Sequence, residues 1–384
     1  MSKWQKVKLG ECIEQIRGVS YKPEDATDVP TEGYYPILRA NNIKDNALIF
    51  DDFVYVKENK IKKEQMIQKG DIIVCASSGS KELVGKAAQA KKDLQMSFGA
   101  FCKGVRAKNI LPEYLGNYFK SPIYRKTISR LSAGANINNI KSEHLDNLEI
   151  PLPAMEEQRK IAQRLDAVSD LLAKQKQLLA EQDNLIQSTF YDMFGDLKCE
   201  ESTIGNECIL KSGTTFSKDD ELDKGEYIYA KVADMNLQGN EVYIKTSRKY
   251  LSKKHVGNLF LNKGSIIFPK RGGAIRTNKK RILIEDSCVD LNIMGVSPRK
   301  KLTTQYLYVY FLNLNLESLC DGCVIPQINN KNIAPLKIPV PPLELQEKFA
   351  AIVEQIESEK SKIKSTIAET QTLFNAIMSE YFEE

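Results

Sequence analysis

Few side chains in this sequence are of the types that do covalent chemistry, and those present are poorly placed for it. Histidine occurs only at His144 and His255, too few for most acid–base or metal constellations. Cys320-Asp321-Gly322-Cys323 is a single CxxC with no second pair and no nearby histidine, whereas zinc needs about four ligands. Asp51 and Asp52, followed by Glu58-Asn59-Lys60, have the outline of a nuclease carboxylate set. Such spacings arise by accident where 27% of residues are charged. No Gly-x-x-x-x-Gly-Lys-Ser/Thr loop is present to cradle a nucleoside triphosphate. What the sequence offers instead is non-covalent: clusters of amides, guanidiniums, ammoniums and hydroxyls beside glycines. They fall at 39–42, 77–81 and 136–141, and again at 231–234, 270–276 and 327–331.

Elements large enough to position such groups are available. A chain of 384 residues with 42% hydrophobic and 8% aromatic content supports two or three globular cores. No run of about 18 apolar residues marks a membrane span, and the first residues lack an apolar signal segment. Eight scattered cysteines suit a reducing compartment, so a cytoplasmic location is expected. The net charge is +5, but it is distributed in blocks: +6 over residues 1–153, −3 over 154–196, +7 over 197–341 and −5 over 342–384. Basic blocks suit a polyanionic partner, although a solvated lysine-rich surface gives the same counts.

An internal repeat organises these blocks. Leu148-Glu149-Ile150-Pro151-Leu152-Pro153 returns as Leu336-Lys337-Ile338-Pro339-Val340-Pro341, and Lys69-Gly70-Asp71-Ile72-Ile73 as Lys263-Gly264-Ser265-Ile266-Ile267. Tyr114-Leu115 with Tyr118-Phe119 returns as Tyr306-Leu307 with Tyr310-Phe311. Asn136-Ile137-Asn138-Asn139 pairs with Gln327-Ile328-Asn329-Asn330. The order is kept and the offset stays near 190 residues, which makes the chain a tandem duplication.

Each repeat opens with about 150 residues of short strands, at 71–75 and 265–268, and short helices such as Pro112–Lys120. The proline-rich segments cannot be helix interiors, so they end the globular part. A long helix then follows. Ile161, Leu165, Val168, Leu172, Leu179 and Ile186 step by alternating four and three, and so do Phe349, Val353, Ile356, Ile363, Phe374 and Ile377. That is a coiled-coil seam, weakened by Gln175, Gln182, Lys360 and Thr370. The expected segments are 1–153, 154–196, 197–341 and 342–384. A coiled coil between chains would use the same pattern, but duplication within one chain favours intramolecular antiparallel pairing.

These features resemble the specificity subunit of type I restriction–modification enzymes. The likeness is carried by the two linker-and-helix entries, Ile150-Pro151-Leu152-Pro153…Glu157-Gln158…Ile161 and Ile338-Pro339-Val340-Pro341-Pro342…Gln346…Phe349. Gly70, Gly264, the Pro326-Gln327-Ile328-Asn329 loop and the helix ends at 185–194 and 373–382 support it. The resemblance covers essentially the whole chain. It implies an α+β fold: two α/β target recognition domains in tandem, each followed by a long helix, the helices pairing antiparallel with pseudo-twofold symmetry. It implies a non-catalytic subunit that reads a bipartite, asymmetric sequence in double-stranded DNA. Two modification subunits would bind S-adenosylmethionine and methylate adenine at N6, and restriction subunits would translocate and cut with ATP and Mg. No cofactor, metal or membrane is expected on this chain. The sequence agrees, since it lacks an Asn-Pro-Pro-Tyr/Phe stretch for a flipped adenine. A coiled-coil scaffold with protein-binding heads, and the specificity subunit of a type IIB-like enzyme, are the alternatives.

With DNA as the implied ligand, the amide and cation clusters become candidate contacts, because bases take amides and guanidiniums while phosphates take Lys, Arg and hydroxyls. The candidates are Arg39, Asn41, Asn42, Ser78, Ser80, Lys81, Asn136, Asn138 and Lys141 in the first repeat. In the second they are Lys231, Lys270, Arg271, Arg276, Gln327, Asn329 and Lys331. A solvated turn or strand edge, or an amide bonding its own backbone, accounts for each cluster equally well. Lys279-Lys280-Arg281 and Arg299-Lys300-Lys301 are expected to face phosphate or solvent.

If the helices act as a ruler, one heptad inserted into each keeps the seam in register. It adds about 10 Å at 1.5 Å per residue, and DNA rises about 3.4 Å per base pair. Methylome sequencing of a strain carrying the lengthened chain should therefore show unchanged half-sites separated by around three more base pairs. Methylation confined to the original spacing would remove the ruler.

Overall fold

The computed structural model describes residues 4–80, 82–131, 138–320 and 325–383. Two helices of 40 residues each, Met155–Phe194 and Leu343–Phe382, are its longest elements. Each starts directly after a proline-rich strand, Glu149–Pro151 or Lys337–Val340. Their first residues lie one position beyond the expected 154 and 342. The chain forms two compact units: residues 1–177 with 364–384, and residues 178–363. Each unit takes one globular part and one half of both long helices.

In the first unit, Ile72–Cys75 sits inside a four-stranded sheet ordered Ala87–Gln89, Ile72–Cys75, Cys102–Ala107, Ile13–Arg17, all antiparallel. Ile72 and Val74 face the core shared with helix Pro112–Lys120 and the long helices, while Ile73 and Cys75 face a second core with Leu38 and Phe98. Because alternate side chains point to opposite faces, a strand covered on both sides needs an unbroken apolar run, and Ile-Ile-Val-Cys supplies it. A second sheet, ordered Ser97–Phe98, Tyr34–Leu38, Val54–Lys57, Ala26–Thr27, lies beyond that second core.

The second unit repeats the scheme. Ile266–Pro269 is central to a five-stranded sheet, flanked by Ile293–Pro298 and Arg281–Leu283. Ile266 and Phe268 face the helical side, and Ile267 faces the opposite core. The repeated Lys-Gly turn before each central strand holds Gly70 and Gly264 at φ of 91° and 82°, a left-handed conformation that favours glycine. The residue after it differs. Asp71 is buried in a bidentate pair with Arg106, at 2.8 Å on both oxygens. At the same places Ser265 and Ser297 share a 2.6 Å hydrogen bond.

The joint between each globular part and its helix is repeated in both units. Gln158 is buried on the first helix; its Oε1 accepts from the Leu111 backbone N–H at 2.8 Å and its Nε2 donates to Pro153 O at 2.8 Å. Gln346 does the same, accepting from Thr303 N–H at 2.9 Å and donating to Pro341 O and Lys301 O at 2.8 and 2.9 Å. Leu111 and Thr303 cap the helices Pro112–Lys120 and Thr304–Leu312. The tyrosines of the repeat brace the proline-rich strands: Tyr114 and Tyr306 donate to Pro151 O and Pro339 O at 2.9 and 3.0 Å.

Within each unit the helix halves run antiparallel. In the first, Arg164 donates to Tyr381 Oη at 2.9 Å and Gln175 to Thr370 Oγ1 at 3.2 Å. In the second, Lys360 reaches Asp183 at 2.6 Å, while Phe190 and Phe194 pack on Phe349. The expected seam side chains are buried or half-buried throughout. The helix ends serve as anchors: Phe382 lies 5.2 Å from the Tyr114 ring, and Phe194 lies 4.9 Å from Tyr306.

The glutamine joint yields a test. Gln346→Leu strands buried backbone groups of Thr303, Pro341 and Lys301, each worth about 1–3 kcal/mol when left without a partner. Denaturant unfolding should show the second unit weakened by about 3 kcal/mol or more in total. Gln163→Leu, at an exposed position of the first helix, should change stability by under about 0.5 kcal/mol. Equal small effects for the two variants would remove the joint's importance.

Candidate nucleic-acid interface

In the first unit, strand Tyr34–Leu38 runs into the one-turn helix Ala40–Asn42. Asn42 is fully buried, and its amide is spent on the protein: Oδ1 accepts from Arg39 N–H at 2.8 Å, and Nδ2 donates to Ile49 O and Asp51 O at 3.1 and 2.6 Å. It locks a loop and is withdrawn as a contact residue. The second unit makes the same lock with Asp234, which accepts from Lys231 N–H at 2.9 Å and from Ser247 Oγ at 3.0 Å. Arg39 and exposed Asn41 both donate to the Asp52 carboxylate, at 3.1 and 2.7 Å. Asp52, one of the carboxylates with a nuclease-like spacing, is thus a partner for cations and amides.

The first two sequence clusters converge on one cleft. Arg39, Asn41, Ser77, Ser78 and Gly79 line a cavity of about 840 Å³ together with Tyr21 and Phe101. Ser78 Oγ accepts from Ser80 N–H at 3.1 Å, so that hydroxyl shapes the loop. The third cluster joins by strand pairing, Asn139 opposite Ser77 and Asn138 opposite Ser78. Lys81 and Asn136 lie outside the described residues, as does Cys323 of the CxxC, and Asn138 is described only in its backbone. Lys141 precedes the short helix Ser142–Asp146 as its N-cap residue, with its ammonium 3.3 Å from Glu143.

In the second unit, Lys270 and Arg271 follow the central strand, and Arg271 bridges to Gln327. Gln327 Nε2 donates to Asn329 Oδ1 at 3.0 Å, and Asn329 N–H donates to Asn332 Oδ1 at 2.8 Å at the start of helix Asn330–Ile333. Burial, then the neighbouring Arg271 charge, holds the Lys270 ammonium below its ordinary pKa while it donates to Ser212 Oγ at 2.8 Å. Lys231 is largely neutralised by Glu221 at 2.6 Å and sits 5.1 Å over the Tyr229 ring. Arg276 pairs with Glu317 at 3.0 Å in solvent, and Lys331 is exposed. Arg271 is exposed and forms no ion pair among the described residues.

Two expectations are corrected. The pairing of Asn136 with Gln327 is out of register by three residues. Ile140 N–H donates to Ala76 O at 2.7 Å just as Ile328 N–H donates to Lys270 O at 2.9 Å, so Asn139 is the partner of Gln327 and Lys141 of Asn329. Lys280 does not face solvent. It is buried, its ammonium donates to Asn278 Oδ1 and Leu314 O at 2.8 and 2.7 Å, and burial brings its pKa down to about 8.

One element beside the cleft has no counterpart among the expected residues. A tight turn at 99–102 closes by Cys102 N–H to Gly99 O at 2.8 Å, and the turn at 290–293 closes by Ile293 N–H to Asp290 O at 3.0 Å. Each rests on a glycine. A Cβ on Gly18 would stand 2.1 Å from Gly99 O, and one on Gly213 2.0 Å from Asp290 O. The shared glycine was the only signal available in the sequence. Among the described residues no cluster of His, Cys, Asp and Glu could hold a metal ion, and no helix is long and apolar enough to cross a membrane.

Comparison with known proteins gives a consistent result. The family described as type I restriction modification DNA specificity domain matches residues 1–182 and 197–370. The type I restriction enzyme StySPI specificity subunit of Salmonella potsdam is 30% identical over 405 residues, covering 97% of this chain and 86% of that protein. The EcoKI specificity subunit of Escherichia coli K12 is 42% identical over 166 residues, 43% of this chain and 36% of that one. The crystal structure of a type I restriction–modification S subunit from M. genitalium superposes with a TM-score of 0.59 at 17% identity, covering 99% of this chain and 96% of that one.

The two asparagines that stand side by side in the first cluster should separate cleanly on substitution. Asn42→Ala leaves buried backbone groups without partners and should destabilise the first unit by about 2–3 kcal/mol. Asn41→Ala should stay within about 0.5 kcal/mol in thermal or denaturant unfolding. The reverse order would return Asn42 to the surface.

Proposed function

The chain belongs to the type I restriction modification DNA specificity family, and from that premise we propose how it does its work. Subunits of this family confer DNA target specificity on type I restriction–modification enzymes and are non-catalytic members of their complexes. The chain binds double-stranded DNA through both units, each reading one part of a bipartite, asymmetric target. One observation carries this reading. The two units repeat one backbone framework at the 39–42 and 231–234 loops, the central strands and the 99–102 and 290–293 turns, yet present different groups upon it: Arg39, Ser77 and Asn139 in one, Lys231, Arg271 and Gln327 in the other. Equal frameworks with unequal donors and acceptors are what two different half-sites require.

The chemistry belongs to the partners. Two modification subunits bind S-adenosylmethionine and methylate adenine at N6, and restriction subunits use ATP and Mg to translocate and cut, in the cytoplasm. The long helices offer a docking face: Leu178 and Leu185 stand exposed one heptad apart beside the seam. Such leucines suit a partner helix laid alongside. The scaffold with protein-binding heads gives way to this reading.

Two measurements test it. The purified chain should transfer no methyl group from S-adenosylmethionine to DNA, whereas the complex with modification subunits should. Affinity of that complex for its target should fall by roughly 0.9 log unit per log unit of salt for each phosphate neutralised. Methylation by the chain alone, or salt-independent binding, would contradict the proposal.

A further inference from the structure

The paired turns at 99–102 and 290–293 share the backbone bonds that place their corners. Gly99 N–H donates to Leu38 O at 2.9 Å and Asp290 N–H to Ala230 O at 3.0 Å; Ala76 N–H donates to Phe101 O and Lys270 N–H to Asn292 O, each at 2.8 Å. These bonds make Phe101 and Asn292 equivalent corner residues beside equivalent strands. Their side chains are opposites. Phe101 is 71% exposed and lines the cleft that Arg39, Asn41 and Ser78 also line. An aromatic ring so open to water on a turn contributes little to the core, which is the usual reason to hold one.

Asn292 is held in one orientation. Its backbone N–H donates to Asp290 Oδ1 at 3.0 Å, and its side-chain Nδ2 donates to Asp290 Oδ2 at 3.1 Å. A carboxylate accepts only from the NH₂ end of an amide, so Asp290 fixes which end is which. The amide keeps one N–H and its Oδ1 without hydrogen bonds to described residues. An adjacent donor and acceptor match N7 and N6 of adenine in the major groove, while an apolar side chain matches the thymine methyl. Lys270 N–H donates to Asn292 O, and the next residue, Arg271, pairs with Gln327, which brings a charge and an amide close in the backbone framework.

We propose that these turns are specificity-determining elements: Asn292 reads one adenine through paired hydrogen bonds, Asp290 positions its amide, and Phe101 reads a thymine methyl from the same place in the first unit. The inference rests on the DNA-reading role proposed above and assigns it to residues.

The test uses the assembled complex and synthetic duplexes of its methylated target, with 7-deazaadenine replacing each adenine in turn. Wild type should lose roughly tenfold or more in affinity at one adenine of one half-site, the order expected for a paired base contact. Asn292→Ser, and the isosteric Asn292→Asp should serine fail to fold, should be indifferent to the replacement at that adenine and normal at the others. Asp290→Ala should blunt the same single position, whereas an even loss at all positions would reduce Asp290 to a structural role and overturn its assignment. Uracil in place of thymine should weaken wild type at one position of the other half-site and leave Phe101→Ala unaffected there. A wild-type complex with no bipartite motif would contradict the DNA-reading role itself. One that methylates its motif but ignores 7-deazaadenine at every adenine, or whose sensitivity survives in the Asn292 variants, overturns this inference alone.

Discussion

A buried carboxamide at the head of each long helix is the contact on which the rest of the structure depends. Gln158 and Gln346 each accept a hydrogen bond from the residue that caps a short recognition-domain helix, and each donates to the proline-rich strand that has just ended. Pro153 and Pro341 are buried, and a buried carbonyl needs a hydrogen-bond donor, which the two glutamine amides supply. An amide can donate and accept at once, which no hydrocarbon or carboxylate can do. The direction in which the helix leaves the domain is thereby fixed by groups whose loss would leave buried polar atoms unpaired. The anchoring aromatics Phe194 and Phe382 then meet Tyr306 and Tyr114 at the far ends of the helices.

Around that shared joint the two units solve the same problems with different side chains. Asp71 and Arg106 tie two central strands of the first unit by a buried ion pair, while Ser265 and Ser297 do it with hydroxyls. Burial of a paired charge roughly breaks even with less polar alternatives, so the exchange is tolerable in either direction. The seams differ likewise. Gln175 meets Thr370 in one unit, and buried Lys360 meets Asp183 and Glu357 in the other. Polar seam residues cost stability and specify register, and each helix pair carries its own set.

Much of this was legible in the sequence because it depends on pattern. The duplication, the proline-rich stops, the helix at Pro112–Lys120 and the heptad seam each leave a periodic or stereochemical trace. The contact residues leave none. An asparagine is written the same way whether it is buried like Asn42 or exposed like Asn41, since burial is decided by the loop at 49–51 that folds over it. The third cluster slipped by three residues because Ile137 and Ile140 both follow an asparagine, and only the strand bridge to Ser77 distinguishes them. The paired turns escaped altogether. Gly99-Ala100-Phe101 and Asp290-Leu291-Asn292 share no residue type, and apart from the glycine beneath each turn their likeness lies in backbone bonds.

The close approach of Gly18 and Gly213 to those turns divides the surface into two kinds of position. Beneath each turn there is no room for a single added carbon, so those two sites can accept nothing but glycine without moving the loop above. At the corners, Phe101 and Asn292 hang from backbone bonds that any amino acid except proline can preserve. Sequence drift is therefore blocked where it would disturb the shape and permitted where it alters only the chemical face. On the reading proposed above, a lineage of such chains acquires new targets through changes at these corners that keep the backbone bonds of the turn.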